Sequence, residues 1–157
     1  MANKKVAAGE QVVCVNRQAR FNYFIDESFE AGLVLVGSEV KSLRDGKANL
    51  TDSYAQIRKG EAFLINAHIS PYAGASQFNH EPTRMRKLLL HEREIERLTG
   101  KTKERGLTLV ALKLYFKGGR AKVELGLGRG KKLYDKRETL KRKDAEREID
   151  RSLRPRR

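Results

Sequence analysis

The sequence predicts a mainly β fold, an antiparallel barrel of about six strands with about three short helices, followed by a basic tail. Three observations carry this prediction. The stretch "LTLVALKLYFKGGRAKVELGLG" can pair with itself around a two-residue turn. A second stretch, "YAQIRKGEAFLINAHI", does the same. The last 29 residues are dense in charge and carry no continuous apolar stripe.

In chain order, "QVVCVN" is a β-branched run and reads as the first strand. A helical piece is expected over roughly Gln18–Phe29, and "GLVLVG" reads as the next strand. "SEVKSLRDG" reads as a helix, with Ser38 at its cap and Gly46 as its terminator. In the first hairpin a turn at Lys59-Gly60 sets Arg58 against Glu61, Ala55 against Leu64 and Ile57 against Ala62. "HEREIERLTG" is a third helix, stopped by Gly100.

The last hairpin turns on Lys117-Gly118-Gly119-Arg120, because both central positions of a type I′ turn need positive φ. That turn fixes the register. Phe116 falls opposite Ala121, Leu114 opposite Val123, Leu112 opposite Leu125 and Val110 opposite Leu127. On the other face Tyr115 meets Lys122 and Lys113 meets Glu124. Apolar meets apolar on one side only, and a one-residue slip would destroy the match. Strands in this number, with helices over the openings, correspond to an OB-like barrel.

The expected organisation is a flexible N-terminus over 1–10, the barrel over 11–128 and the basic tail over 129–157. In the tail no Gly or Pro interrupts Lys131 to Arg154, and its residues are good helix formers. On a helical wheel, however, Leu133 and Leu140 fall on one side and Ile149 and Leu153 on the other. Disorder is expected in the isolated chain, and a helix on a charged partner. The glycines of "GRGKK" read as a flexible exit from the barrel.

Among 157 residues, 34 are basic and 20 acidic, a net charge of +14. Half of that excess sits in the tail, which points to a polyanionic partner, nucleic acid ahead of membrane. The one cysteine, Cys14, allows no intrachain disulfide and fits a reducing compartment. No apolar run approaches the roughly 18 residues of a membrane span, and "MANKKVAAGEQ" lacks the apolar segment of a secretory signal, so a cytosolic protein is expected.

Catalytic chemistry is not legible. "TGKTK" ends like a phosphate-binding loop but has Ile95 where a glycine is required, and it follows a helix instead of preceding one. His68, His80, His91 and Cys14 lack metal-ligand spacing. Asp26, Glu27 and Glu30 suit ion pairing near basic neighbours, with a metal-dependent nuclease site as the alternative. No nucleophile stands with a partnered base. A binding protein, with no metal, cofactor or catalysed reaction, is the reading.

Phosphate contacts need exposed Lys and Arg, and unpaired bases need aromatic planes or hydrogen-bonding side chains. Lys113, Tyr115, Lys117, Arg120 and Lys122 lie side by side on the last hairpin, either as an RNA surface or as an ordinary wet sheet face. "PTRMRKLLLH" is a second candidate, with Arg84, Arg86 and Lys87 ahead of three leucines that cannot all point inward if extended. A specific RNA-binding factor and a generic basic RNA-binding protein both remain open on these features.

"NRQARFNYFIDESFEAGLVLVGSEVKSLRDGKANLTDSY", "RMRKLLLHEREI", "KLYFK", "KVELGLGRGKK" and "YDKR" together, in this order, resemble the bacterial SsrA-binding protein family, small protein B. The resemblance runs from about Val12 to Arg137. It implies an OB-like six-stranded barrel that binds the tRNA-like domain of transfer-messenger RNA (tmRNA) and enters stalled ribosomes with it. The barrel then replaces the missing anticodon arm, and the tail probes the empty decoding site and mRNA channel of the small subunit. By the resemblance, RNA-binding positions fall on Asn16, Glu30, Leu90 and Lys122, beside the candidates Tyr115, Arg86 and Lys87. Decoding-site and channel positions fall on Gly130, Lys131, Lys132, Asp135, Lys136 and Arg137, with Tyr134 among them to stack on a base. A monomer in the bacterial cytoplasm, away from membranes, is implied.

Overall fold

The computed structural model describes residues 9–75, 79–104 and 106–154. Residues 1–8 of the expected N-terminal segment and 155–157 of the tail lie outside them.

The final hairpin forms as β8 (Thr108–Lys117) and β9 (Arg120–Gly130). Gly118 and Gly119 have φ of 58° and 76°, the left-handed geometry that a type I′ turn demands. Near the turn the expected register holds, pairing Phe116 with Ala121, Tyr115 with Lys122, Leu114 with Val123 and Lys113 with Glu124. Farther out, the expected pairs of Leu112 with Leu125 and Val110 with Leu127 do not form. A bulge between Ala111 and Lys113 puts Ala111 opposite Leu125 and Leu109 opposite Leu127. One extra residue reverses the alternation. Val110 and Leu112 therefore pack with Ala19 in a second small core beneath α1 (Arg17–Asn22).

β4 (Tyr54–Arg58) and β5 (Glu61–Ile65) pair with Arg58 against Glu61, Ile57 against Ala62 and Ala55 against Leu64, as expected. β1 (Glu10–Val15) pairs with β8, and its first residue lies one position ahead of the expected start of the barrel. The helix expected over Gln18–Phe29 is only the six residues of α1. From Tyr23 to Leu33 the chain is strand β2, paired along β9. Phe29, Ala31 and Leu33 recur at every second residue, a strand period with Glu30 and Gly32 between its members. Of the expected strand "GLVLVG", only Gly32 and Leu33 belong to β2.

Helix α2 (Gly37–Arg44) begins one residue before Ser38. Its first turn is closed by Glu39, whose Oε1 accepts from the Val36 N–H at 3.0 Å. Ser38 is not the cap; its hydroxyl is bonded to His80 Nδ1 at 2.8 Å. Gly46, at φ 73°, ends the helix as expected, its N–H donating to the Leu43 carbonyl. Helix α3 (Glu92–Glu104) runs through Gly100. The left-handed glycine beyond it is Gly106, at φ 60°, so the expected stop lies six residues too early.

With β7 (Arg86–Leu89), the large antiparallel sheet has the order β1-β8-β4-β5-β7-β2-β9, and β9 also pairs with β8. The sheet thus curls back on itself around a core that includes Leu64, Leu88, Leu109, Leu125 and Leu127, with Leu98 of α3 packed into it. A two-stranded sheet of β3 (Ala48–Asn49) and β6 (His68–Ile69) stands beside it. This is the mainly β, OB-like architecture expected, with seven strands in the large sheet in place of six.

β9 continues to Gly130, two residues beyond the expected boundary, and Gly126 and Gly128 are packing positions, while a Cβ at Gly130 would meet open space. A Cβ at Gly128 would sit 2.3 Å from the Phe24 carbonyl oxygen. Where disorder is expected, Leu133–Leu153 form helix α4. None of its residues is buried, in keeping with the missing apolar stripe. It is tied to the barrel at its root. The Lys131 N–H donates to the Asn22 carbonyl at 2.8 Å, the Lys131 ammonium lies 4.9 Å from the centre of the Phe24 ring, and Lys143 lies 5.7 Å from that of Phe21.

Candidate nucleic-acid interface

An open groove of about 1000 Å³ lies between β2, the end of β7, the start of α3 and the turn of the β8–β9 hairpin. Glu30, Leu90 and Lys122, three of the four family-implied positions, line it together with Leu89, Arg97 and Arg120. They are brought together by register. Glu30 faces Glu124 across β2 and β9, and Lys122, two residues along β9 from Glu124, falls on the same face.

Glu30 has three hydrogen-bond or ion partners. The Tyr115 hydroxyl donates to Oε2 at 2.6 Å, Lys117 Nζ donates to the same oxygen at 3.4 Å, and Lys122 Nζ stands 3.9 Å from Oε1. The Tyr115 bond, helped by the two lysines, holds the carboxyl below its ordinary value against partial desolvation. Burial, and then the negative partner, push the Tyr115 phenol well above its own. Oε2 therefore carries the two hydrogen bonds, and Oε1 has only the Lys122 ammonium at 3.9 Å. An ionised oxygen in that position accepts from a base N–H or a ribose 2′-hydroxyl, while the lysines neutralise phosphates.

Several expected contacts are placed differently. Tyr115 is 3 % exposed, so it holds Glu30 and offers no ring for stacking. Lys113 lies over that ring at 4.8 Å and pairs with Glu10. Arg86 is not a surface cation. Its side chain is fully buried, paired to Glu39, and donates to the carbonyls of Ala67, Arg84 and Pro82. Arg84 joins the same carboxylate at 2.5 Å. Burial alone would raise the Glu39 carboxyl, but the bonds from Arg84, the Val36 N–H and Arg86 outweigh it and leave it lowered. Lys87 is exposed and pairs with Glu61, outside the groove.

Asn16 is also apart from the groove and buried; its Nδ2 donates to the Leu50 and Ala111 carbonyls, pinning the start of α1 to β8. Leu90 is half-buried against the core. The leucine that projects is Leu89, 56 % exposed, which lies against Gly32 on β2, where a Cβ would come within 3.1 Å of its own. Alternation from the inward Leu88 was the signal that could have found it. The acidic cluster disperses: Glu27 accepts from Lys101 at 2.7 Å and Arg97 at 2.9 Å, while Glu30 turns to Tyr115. Among the described residues no group of His, Cys, Asp or Glu is arranged to hold a metal ion.

In the tail, Gly130 ends β9, and Lys131 Nζ donates to Thr139 Oγ1 at 3.1 Å. The Asp135 carboxylate accepts from the Lys132 N–H at 3.2 Å and so starts α4. Tyr134 is 60 % exposed, Lys132 and Arg137 are exposed, and Lys136 is half-buried.

Residues 13–155 match the family model described as SmpB protein. The chain belongs to the SmpB family. Its relatives include the SsrA-binding protein of Syntrophobacter fumaroxidans, 62 % identical over all of this chain and 98 % of that protein, and that of Geobacter sulfurreducens, 61 % identical over 93 % of this chain and 95 % of that one. A solved SmpB-family chain from work described as "tmRNA-SmpB: a journey to the center of the bacterial ribosome" is 54 % identical, with a TM-score of 0.65, covering 76 % of this chain and 85 % of that one. No helix among the described residues is long and apolar enough to cross a membrane.

Proposed function

We propose that this SmpB-family chain is an RNA-binding factor that binds the tRNA-like domain of tmRNA and delivers it to stalled ribosomes for trans-translation. The observation that carries this reading is the groove, where the ionised Glu30, Lys122, Arg120 and the exposed Leu89 converge on one surface of a family barrel. Lysine and arginine take the RNA backbone, Glu30 Oε1 takes a base or sugar donor, and Leu89 packs on a sugar or base face. The barrel occupies the place of the missing anticodon arm. The tail, from Gly130 through Lys131, Lys132, Tyr134, Asp135, Lys136 and Arg137, reaches the decoding site and mRNA channel of the small subunit. The chain catalyses no reaction, takes no cofactor, and acts as a monomer in the bacterial cytoplasm. The test is to purify the protein from cells and sequence the RNA bound to it. One dominant RNA with a tRNA-like end supports the reading; a broad mixture of structured RNAs at matched salt marks a generic basic RNA-binding protein instead.

A further inference from the structure

The outer face of the sheet at β5, β7 and the continuation of β2 breaks the usual alternation. An antiparallel sheet with one wet face is ordinarily apolar inside and polar outside. Ala62, Leu64 and Leu88 point into the core, yet the alternate positions of β5 that face outward carry Phe63 and Ile65. The Val34 N–H donates to the Lys87 carbonyl at 3.0 Å, so the chain stays beside β7 after β2 ends at Leu33. Continued to the extended Val36, that register sets Val36 beside Met85. The β5–β7 register, continued by one residue, sets Ile65 on the other side of Met85. Phe63 lies across from Lys87, with Val34 on the far side of that lysine. Val34, Val36 and Met85 are 43–45 % exposed, and Phe63 and Ile65 are half-buried. None of the five lines the groove.

Single exposed apolar residues are ordinary, but a contiguous group on a wet sheet face marks an interaction surface. Aliphatic side chains offer no plane on which a base could stack, so the centre of this face suits protein better than nucleic acid. The charges around it select the partner. Beyond the buried Glu39–Arg86 pair, these strands and the residues next to them carry Arg58, Lys59, Arg84 and Lys87 against the one carboxylate of Glu61. A second copy of a chain with net charge +14 would set the same cations against each other. We infer that this face docks another protein, through a segment whose apolar side chains are flanked by Asp or Glu. The surface is separate from the RNA groove, and the inference does not depend on what the groove binds.

The test replaces Val36 or Met85, one at a time, with the photo-cross-linking residue p-benzoylphenylalanine in the full chain in bacterial cells, and sequences the attached peptide by mass spectrometry. Both positions are expected to capture one segment of another protein, apolar with Asp or Glu at its borders. That segment is then synthesised and titrated against full-length variants. Val36→Thr and Met85→Gln keep the side-chain shape and are each expected to weaken its binding about tenfold, the effect of burying a polar group without a partner. Both variants are expected to keep the wild-type unfolding midpoint and tmRNA affinity. Arg58→Glu is expected to weaken the segment's binding more at low salt than at high salt. Cross-links to RNA, to a second copy of this chain or to nothing overturn the inference, as does a segment that binds both variants as it binds the wild type. Failure of the wild-type chain to bind tmRNA overturns the functional reading alone.

Discussion

The hydroxyl of Tyr115 on β8 donates to Glu30 on β2 at 2.6 Å, spanning the intervening strand β9. This bond turns a buried ring into the support for a carboxylate at the edge of the groove. Tyr115→Phe removes only the hydroxyl. A bond to a charged acceptor contributes about 1.5–3 kcal/mol, so urea unfolding is expected to show a loss in or somewhat below that range, Glu30 being partly solvated. RNA affinity is expected to fall as well, because the carboxylate is no longer fixed. Glu30→Gln is expected to lower affinity with little loss of stability, and combining the two changes to give less than the sum of their separate effects on affinity.

Acid stability is expected to depend on Glu39. Its carboxyl is held below the ordinary value by Arg84, Val36 and Arg86, so the folded state binds fewer protons than the unfolded chain in mildly acidic solution. The stabilisation is present above the unfolded carboxyl value of about 4.3 and is lost as pH falls through the lower folded value. Urea midpoints measured from neutral pH down to about pH 3 should drop along this limb. In Glu39→Gln that dependence is expected to be shallower, from a much lower starting stability.

The two neighbouring cations of β7 are expected to separate cleanly. Arg86→Ala leaves Glu39 buried beside Arg84 alone and is expected to cost about 3–5 kcal/mol. Lys87→Ala breaks an exposed pair with Glu61 and is expected to cost under about 1 kcal/mol. Denaturant unfolding of the two variants distinguishes them, and equal losses would remove Arg86 from the core.

Leu88 and Leu89 provide the same contrast in apolar form. Leu88→Ala opens a cavity in the main core and is expected to cost about 2–5 kcal/mol. Leu89→Ala is expected to leave unfolding nearly unchanged and to weaken tmRNA binding in a gel-shift titration, since this side chain already faces solvent.

Replacing Asp135, Lys136 and Arg137 together with Ala is expected to spare tmRNA binding and abolish peptide tagging on stalled ribosomes. Asp135→Ala by itself removes the carboxylate that starts α4, so circular dichroism should register a small loss of helix. Loss of tmRNA affinity in the triple variant would sink the division between barrel and tail.

The parts of the fold that sequence made legible are those fixed by neighbours in the chain. Lys59-Gly60 and Gly118-Gly119 force their turns, and the registers beside them follow. The bulge at Leu112 was hidden because its compensation, the small core beneath α1, lies about ninety residues away in sequence. Arg86 was misread for the same reason. A basic residue in "TRMRKLLL" looks exposed until Glu39, on another element, is placed against it. Glu30 and Lys122, which the fold places on one groove, were named by the family resemblance and Lys122 also by the register, whereas the projection of Leu89 required knowing which leucine turns inward.

The anchoring of α4 at its root gives the helix a use that its exposed surface does not suggest. Its 21 residues extend roughly 30 Å at the standard rise. Because Lys131 is bound to Asn22 and lies against Phe24, the starting direction is set by the barrel. Such a helix is a measuring rod, and the position of its far end reports the orientation of the barrel. A small change of angle at that root is multiplied along the helix into a much larger displacement of its far end.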